Sequence, residues 1–152
     1  MRRSPARSST AILESRCRAH GLRITQQRTA IYAAICCSDT YPTAEHLHKR
    51  VRRRFPNISL DTVNRTLLTF AEIGLVGIVE GYGSPRRYDP NLEKHHHAHC
   101  LKCGTILDFY ETQFDNLKVP AAIRRQFTIL GKKVILNGIC AACRKKTAGN
   151  TK

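Results

Sequence analysis

The chain has 152 residues, of which 41% are hydrophobic, so it can build a core as one domain or as two small ones. Its 26 Lys and Arg residues outnumber 11 Asp and Glu residues, which gives a formal net charge of +15. No stretch approaches the run of about 18 apolar residues that a transmembrane helix needs, and the basic start is not followed by the apolar core of a signal peptide. We therefore expect a cytoplasmic protein that does not cross a membrane.

The positive charge is concentrated in the first part of the chain. Residues 1–60 contain 12 Lys and Arg residues against three acidic ones, and Arg52, Arg53 and Arg54 are consecutive. This excess is greater than solubility requires and indicates a polyanionic partner. The charge alone leaves RNA, DNA and an anionic membrane surface open.

The first predicted elements are helical. Residues 1–9 are rich in Arg and Ser and predict a disordered basic arm, followed by a short helix over residues 10–19 that Gly21 ends. Thr25 is a typical N-cap for a buried helix that extends to about Cys37.

Two further helices and a hairpin follow. Thr43 opens a basic helix over 43–54, which Pro56 ends. Ser59 caps a helix over 59–73 whose apolar stripe contains Val63, Leu67 and Phe70 and which stops at Gly74. LVGIVE and RRYD then predict two short strands, joined by the turn GYGSP.

This order of elements predicts a winged helix-turn-helix over residues 10–90, in which the helix 59–73 enters a major groove. On its polar side, Asn64 and Arg65 are candidates for base contacts, and Thr69 also faces DNA. The alternative is a helical domain with a decorative hairpin, which leaves the basic helix 43–54 unexplained. Phosphate or minor-groove contacts are expected from Arg23, and phosphate contacts from Arg86 and Arg87 of the hairpin.

Residues 91–145 predict a small α/β module, with a tail over 146–152 that we expect to be disordered. HHHAHC and TILDF predict strands, Pro120 delimits a helix, and FTILGKKVILNG predicts a strand on each side of Gly131. A module of about 50 residues buries too little surface alone, so we expect it to complete its core by dimerisation.

The cysteines of this module predict a structural zinc site. An odd count of seven without a secretion signal points away from disulfides and toward metal. Two C-x-x-C pairs can direct four thiolates to one tetrahedral Zn²⁺, and their residues are Cys100, Cys103, Cys140 and Cys143. Two redox dithiols, or buried free thiols, are the alternatives, but neither pair lies on the βαβ unit typical of thioredoxin-like chemistry.

A histidine cluster precedes the first pair and predicts a second metal site. On a strand, His95, His97 and His99 share one face. Asp89 upstream and Asp108 downstream supply candidate oxygen ligands, and mixed N/O ligation suits Fe, Mn, Zn, Co or Ni. A coincidental polar stretch or an expression tag is the alternative; the internal position of the cluster argues against a tag.

The chain resembles the ferric uptake regulator family over about residues 10–145, in five segments that occur in the family's order: HGLRITQQR, FPNISLDTVNRTLLTFAEIGLV, RYDP, HHHAHCLKCGTILDF and CAAC. The resemblance implies a bacterial, homodimeric, metal-dependent repressor with an N-terminal winged helix and a C-terminal dimerisation domain. It implies that the four cysteines hold the structural zinc. It also implies, from the peroxide-sensing branch, that a regulatory Fe²⁺, Mn²⁺ or Zn²⁺ is held by Asp89, His95, His97 and Asp108.

The chain departs from the family's pattern at three positions. Tyr41 replaces the His of a His-Pro-Thr motif that supplies one regulatory ligand, and His46 and His48 are the candidates to replace it. Lys132 stands where members with a third metal site have His, and Asn64 stands where the recognition helix usually has Tyr. The first departure bears on peroxide sensing and iron selectivity, and the last bears on operator choice.

The expected fold is therefore α+β, with an N-terminal winged helix-turn-helix followed by a small α/β dimerisation domain that carries a four-cysteine zinc site. The expected function is that of a repressor of metal-homeostasis or oxidative-stress genes, which binds double-stranded operator DNA as a metal-loaded homodimer. The rival functions are a zinc-binding RNA-associated protein and a zinc hydrolase or deaminase. A deaminase needs His-x-Glu, and the Glu is missing.

Overall fold

The computed structural model describes residues 7–38, 40–79 and 85–148, and the chain divides into two compact units, Met1–Leu92 and Glu93–Lys152. Within the described ranges, no helix is long and apolar enough to cross a membrane. The first unit contains four helices and a hairpin: α1 Arg7–Ala19, α2 Gln26–Cys36, α3 Ala44–Val51, α4 Leu60–Glu72, β1 Gly77–Val79 and β2 Arg87–Asp89.

The two predicted N-caps, Thr25 and Ser59, are confirmed, and Thr43, which we expected to open its helix, is also an N-cap. Each cap residue is extended, and its hydroxyl accepts a hydrogen bond from the backbone N–H three residues later, at Thr25, Thr43 and Ser59. Helix α4 ends at Glu72, and Gly74, which follows the C-cap Ile73, has a φ of 69° that is accessible to glycine at little cost. These local signals fix where α4, the predicted recognition helix, begins and ends.

The first unit has a continuous apolar core. Buried side chains of α1 to α4 pack together with Leu75, Val76 and Tyr88 around the base of the hairpin, and the rings of Tyr32 and Phe70 meet edge to face with centroids 5.7 Å apart. Strands β1 and β2 pair antiparallel with Ile78 opposite Tyr88. The predicted turn over 81–85 lies mostly outside the described residues.

Two boundaries of the first unit differ from the sequence expectation. Helix α1 begins at Arg7, so the disordered arm expected over 1–9 is wrong for residues 7–9, while residues 1–6 lie outside the described ranges. Helix α3 ends at Val51 instead of residue 54, and Arg52 to Arg54 form the turn that follows. The backbone N–H groups of Arg54 and Phe55 both return to the carbonyl of Val51 and close that turn.

The second unit is a three-stranded sheet with a helical crossover. Its elements are β3 His96–Cys100, β4 Ile106–Phe109, α5 Thr112–Asp115, α6 Ala121–Gln126, β5 Ile135–Gly138 and α7 Ala141–Ala148. The strand order is β4-β3-β5, with β4 antiparallel and β5 parallel to β3. The parallel pair β3 and β5 needs a long connection, and residues 101–134, which include β4, α5 and α6, supply it.

Two sequence predictions for this unit are wrong. The strand expected over residues 127–130 does not form, and these residues pair with none of the three strands of the described sheet. The tail expected over 146–152 is helical as far as Ala148, because α7 continues from the second C-x-x-C pair; residues 149–152 lie outside the described ranges.

The second unit buries little apolar surface. Among its described residues, the buried set contains only Cys100, Cys143 and the three histidines 95–97. Eleven of the fourteen exposed large hydrophobic residues in the described chain lie in this unit, and Leu130 is 95% exposed. A unit of this size without an aliphatic core needs another source of stability, such as a metal or a partner subunit.

The contribution of the Ser59 N-cap to the stability of α4 can be tested by substitution. The Ser59 hydroxyl accepts a hydrogen bond of 3.0 Å from the backbone N–H of Thr62. We expect Ser59→Ala to lower the free energy of unfolding of the first unit by about 1 kcal/mol, because one N–H at the helix start loses its acceptor. Urea unfolding followed by circular dichroism measures the change. Ser59→Asp, which keeps an acceptor, serves as the control, and equal losses in both variants would contradict the cap.

Candidate metal centres and nucleic-acid interface

A tight turn after β3 brings the first cysteine pair together. Cys100 ends the strand, and Gly104 returns the chain with a φ of 71°. The Gly104 N–H donates to the Cys100 carbonyl at 2.8 Å, and the Cys100 N–H donates to the Thr105 carbonyl at 2.8 Å. The C-x-x-C-G sequence therefore folds into a hydrogen-bonded knuckle that starts β4.

The four cysteines of the two pairs converge as predicted. Their Sγ atoms all lie within 4.8 Å of one another, and the Sγ atoms of Cys103 and Cys140 are 3.8 Å apart. Zn–S bonds of about 2.3 Å place adjacent corners of a tetrahedron about 3.8 Å apart. The donor set and its spacing therefore fit a structural Zn²⁺.

Hydrogen bonds around the sulfur atoms distribute negative charge unequally. The backbone N–H of Cys140, 3.3 Å from the Cys100 Sγ, is the main cause that lowers the pKa of Cys100 to about 6. Hydrogen bonding with Cys140, followed by burial, raises the pKa of Cys143 to about 12. Because neighbouring thiolates repel one another, a divalent cation is what makes four thiolates compatible in this cluster.

Strand alternation creates the second cluster. His95 directly precedes β3, and His97 lies two residues later on the same face, opposite Asp108 of β4. The Nε2 atoms of His95 and His97 are 2.8 Å apart, and they lie 3.8 and 3.7 Å from the Asp108 Oδ1 atom. His95 and His97 are buried and Asp108 is partly exposed.

A backbone acceptor orients one of these imidazoles. The Nδ1 atom of His95 lies 2.6 Å from the Glu93 carbonyl, which can only accept, so Nδ1 carries the proton in that bond. The lone pair of Nε2 is then directed at the cluster, as a metal ligand requires. His99, which we also placed on this face, lies outside the cluster.

The remaining histidine of the run belongs to the opposite face. His96 is fully buried between the rings of Phe109 and Phe114. Its Nδ1 atom accepts from the Val134 N–H at 3.2 Å, and its Nε2 atom faces the Asp115 carboxylate at 3.3 Å. His96 therefore holds helix α5 and the start of β5 against the sheet.

Two other sequence-predicted ligand positions lie in the first unit. Asp89 ends β2, is fully buried, and accepts a hydrogen bond of 2.8 Å from the Asn91 N–H. Tyr41 is buried, and its carbonyl accepts from Arg87 at 3.1 Å. Of the two histidines considered in its place, His46 is exposed beside Thr43, and the Nε2 atom of His48 lies 2.9 Å from the Ile58 carbonyl, so His48 connects α3 to the loop before α4.

The candidate nucleic-acid surface is the exposed side of α4. Asn64 and Arg65 are exposed, while the Thr69 hydroxyl donates to the Arg65 carbonyl at 3.0 Å and is partly buried. Arg65 also forms an ion pair with Asp61, in which Nε and Oδ2 are 3.1 Å apart. Arg23 and Arg86 are exposed elsewhere in the unit. Arg87, which we expected to contact phosphate, is partly buried and donates from Nη1 to the Tyr41 carbonyl.

Three contributors to these sites were missed by the sequence analysis. They are the Glu93 carbonyl beside His95, the Thr105 hydroxyl 3.1 Å from the Cys103 Sγ, and the carboxylate of Asp61 beside Arg65. A backbone carbonyl leaves no signal in a sequence. The i, i+4 spacing of Asp61 and Arg65 is a usable signal for an ion pair on a helix.

The model of the Ferric uptake regulator family matches residues 19–137, which include every element from α2 to α6 and all but the last residue of β5. The chain belongs to this family. The family consists of metal-responsive transcriptional regulators, so the chain is a regulator of this class and not an enzyme.

Individual relatives agree with this assignment. The peroxide-responsive repressor PerR of Staphylococcus epidermidis is 34% identical over 126 residues, which are 83% of this chain and 84% of the relative. The ferric uptake regulator Fur of Helicobacter pylori has the same fold, with a TM-score of 0.77 and 24% identity over 95% of this chain and 97% of that one. A zinc-bound manganese uptake regulator has a TM-score of 0.63 at 28% identity, covering 84% of this chain and 98% of that one.

The structural role of the four-cysteine cluster can be tested by substitution. Cys100→Ser or Cys143→Ser should abolish tight zinc binding and unfold the second unit together with any dimer it forms, because metal-binding energy, on the order of 10 kcal/mol, is also folding energy here. Zinc content and sedimentation velocity measure both effects. Cys37→Ser, which changes an exposed cysteine outside the cluster, should keep the zinc. A zinc-free mutant with a folded, dimeric second unit would disprove the structural role.

Proposed function

We propose that this protein is a metal-loaded, homodimeric repressor that binds operator DNA in the cytoplasm and controls metal-homeostasis or oxidative-stress genes. The observation that carries the proposal is the His95–His97–Asp108 cluster, whose two histidines are buried, on the strand pair that also carries the first cysteine pair. The four thiolates are suited to permanent zinc. The N/O set leaves room for further ligands and is suited to a metal that exchanges.

The donor set bears on the identity of the regulatory metal. It combines the imidazoles of His95 and His97 with the carboxylate of Asp108. Two His and one carboxylate with open positions suit Fe²⁺, so we propose Fe²⁺ first, with Mn²⁺ and Zn²⁺ as competitors.

Asp89 is the proposed fourth ligand. Its carboxylate is fully buried, and a buried carboxylate needs a cation or several hydrogen bonds. The boundary between the two units falls between Leu92 and Glu93, so Asp89 belongs to the winged-helix unit and the other three ligands belong to the second unit. Metal binding by all four residues would restrict the linker over 90–94 and fix the winged helix for the operator. By thermodynamic reciprocity, DNA would tighten metal binding by the same factor.

The dimer is supported by the surface of the second unit. Its exposed apolar residues include Leu101, Leu107, Phe127 and Leu130, and its strand β5 is exposed along its whole length at the sheet edge. A surface of this kind is typical of an obligate interface. We propose that a second copy covers it, which places two winged helices on one operator with two half-sites.

For DNA, we propose that α4 enters the major groove with Asn64 and Arg65 nearest the bases and Thr69 beside them. Arginine suits guanine and asparagine suits adenine. Arg23 and Arg86 would contact phosphate or the minor groove. The net charge of +15 supports binding to a polyanion.

The regulatory site is tested by separating it from the zinc site. We expect His97→Ala and Asp89→Ala to keep fold, zinc and dimer but to lose metal-dependent DNA binding, because each removes one ligand. The readout is fluorescence anisotropy with a duplex selected from a random pool by the Fe²⁺- or Mn²⁺-loaded protein. His99→Ala, on the same strand but outside the cluster, is the matched control. Wild-type DNA binding in His97→Ala would refute the proposal.

Tyr41 gives a second test of the ligand set. A phenol has a pKa of about 10, so it is protonated and a poor ligand at neutral pH. We therefore propose that Tyr41 lies outside the coordination shell. Tyr41→His should then raise affinity for Fe²⁺ or Mn²⁺ relative to Zn²⁺, because these ions favour more N/O ligands. Competition titration with a metal-binding dye measures the order. Unchanged affinity and unchanged metal preference would show that another residue already fills this position, with His46 and His48 the first to substitute.

A further inference from the structure

Helix α4 presents an acidic side chain where the proposed function places DNA. Asp61 lies in its first turn, and its side chain is 71% exposed. A carboxylate on a DNA-facing surface repels phosphate and lowers non-specific affinity. Its presence next to Asn64 and Arg65, in a chain with an excess of basic residues, calls for a specific physical role.

The geometry of the Asp61–Arg65 pair indicates that role. Oδ2 of Asp61 lies 3.1 Å from Nε of Arg65, one helical turn later, while the Arg65 side chain remains 78% exposed. A guanidinium has five N–H donors in a planar fork. Because Asp61 contacts the Nε side of the fork, the terminal edge with both Nη atoms remains available.

The terminal edge of a guanidinium matches one base. Guanine offers O6 and N7 in the major groove, and they accept two parallel hydrogen bonds from arginine. An unrestrained arginine can contact any phosphate nearby, which carries no sequence information. A carboxylate that holds Nε restricts the rotamers of the side chain and disfavours phosphate close to it.

We propose that Asp61 is a positioning residue that aims the two Nη atoms of Arg65 at a guanine in the operator. The inference rests on the proposed docking of α4 in the major groove and deepens it by naming the base and the device that selects it. Asp61 lowers affinity for DNA in general and raises discrimination for a G·C pair at one position. It does not itself contact the base.

A purely structural role for Asp61 makes a different prediction. An acid in the first turn of a helix interacts favourably with the helix dipole, and an acid four residues before an arginine stabilises the helix. In that case Asp61→Ala would act like Ser59→Ala, which weakens the same helix start without changing the ion pair. The two roles are therefore distinguished by base discrimination and not by thermal stability.

The experiment uses the full-length, zinc- and Mn²⁺-loaded protein and the duplex it selects from a random pool. Each guanine of that duplex is replaced in turn by 7-deazaguanine, which lacks the N7 acceptor. We expect the wild type to lose about tenfold in affinity at one guanine in each half-site. Asp61→Ala and Arg65→Ala should both reduce that penalty to nearly nothing, and the double variant should show no further loss.

Affinity for unrelated duplex DNA provides the second readout. It should rise severalfold in Asp61→Ala and fall in Arg65→Ala, because one variant removes a repelling charge and the other an attracting one. Glu72→Gln removes one negative charge from the other end of α4 and is the charge control. Asp61→Glu, which keeps the carboxylate, should retain part of the discrimination, and Ser59→Ala should retain all of it.

The experiment distinguishes a failure of the positioning role of Asp61 from a failure of the docking of α4 in the major groove. If Asp61→Ala keeps the wild-type penalty while Arg65→Ala loses it, the positioning role is wrong and the docking of α4 stands. If both variants keep the penalty, the docking is wrong and the positioning role falls with it. If Ser59→Ala or Glu72→Gln loses the penalty as Asp61→Ala does, helix stability or net charge explains the effect and the proposal is overturned.

Discussion

The convergence of four cysteine thiolates is the constraint on which the second unit depends. Its described residues bury almost no aliphatic surface, so the usual hydrophobic contribution to folding is small there. The four-cysteine cluster links the end of β3 to the residues just after β5, where the Leu101 N–H donates to the Gly138 carbonyl at 2.8 Å. Zinc bound at this point would therefore hold together two strands that are separated by a crossover of 34 residues in sequence, between Cys100 and Ile135.

The geometry of the cluster of His95, His97 and Asp108 depends on the same constraint. Strand β3 carries His97 near its first end and Cys100 at its last, and its antiparallel register with β4 sets Asp108 opposite His97. A shift of one residue would turn the imidazoles to the face where His96 packs against Phe109 and Phe114. The knuckle and the buried His96 both oppose that shift, and under the proposed function zinc opposes it too. The proposed N/O ligands are therefore held in place without their own metal.

The two units differ in the interactions that stabilise them. The winged-helix unit has a continuous core and capped helices, so it presents α4 as a rigid surface. The second unit instead leaves apolar side chains exposed. Under the proposed function, a metal and a second copy stabilise this unit, and the base specificity of the first unit depends on the Asp61–Arg65 ion pair. Under the proposed function, stability, assembly and metal sensing are coupled in one small unit and separated from base recognition.

Local chemistry in the sequence was sufficient for much of this protein. The caps Thr25, Thr43 and Ser59, the hairpin, and the two C-x-x-C pairs depend on neighbouring residues or on strict spacing, so they could be predicted without the structure. Alternation along a strand also predicted that His95 and His97 share a face with each other and not with His96.

Only the tertiary structure decided which partners these groups meet. It assigned His48 and Arg87 to backbone carbonyls, placed the Glu93 carbonyl on His95, and left residues 127–130 without a neighbouring strand. These outcomes depend on which distant segments come together. Every residue has a backbone carbonyl, so the residue type gives no signal of which carbonyl will accept a hydrogen bond from a distant side chain.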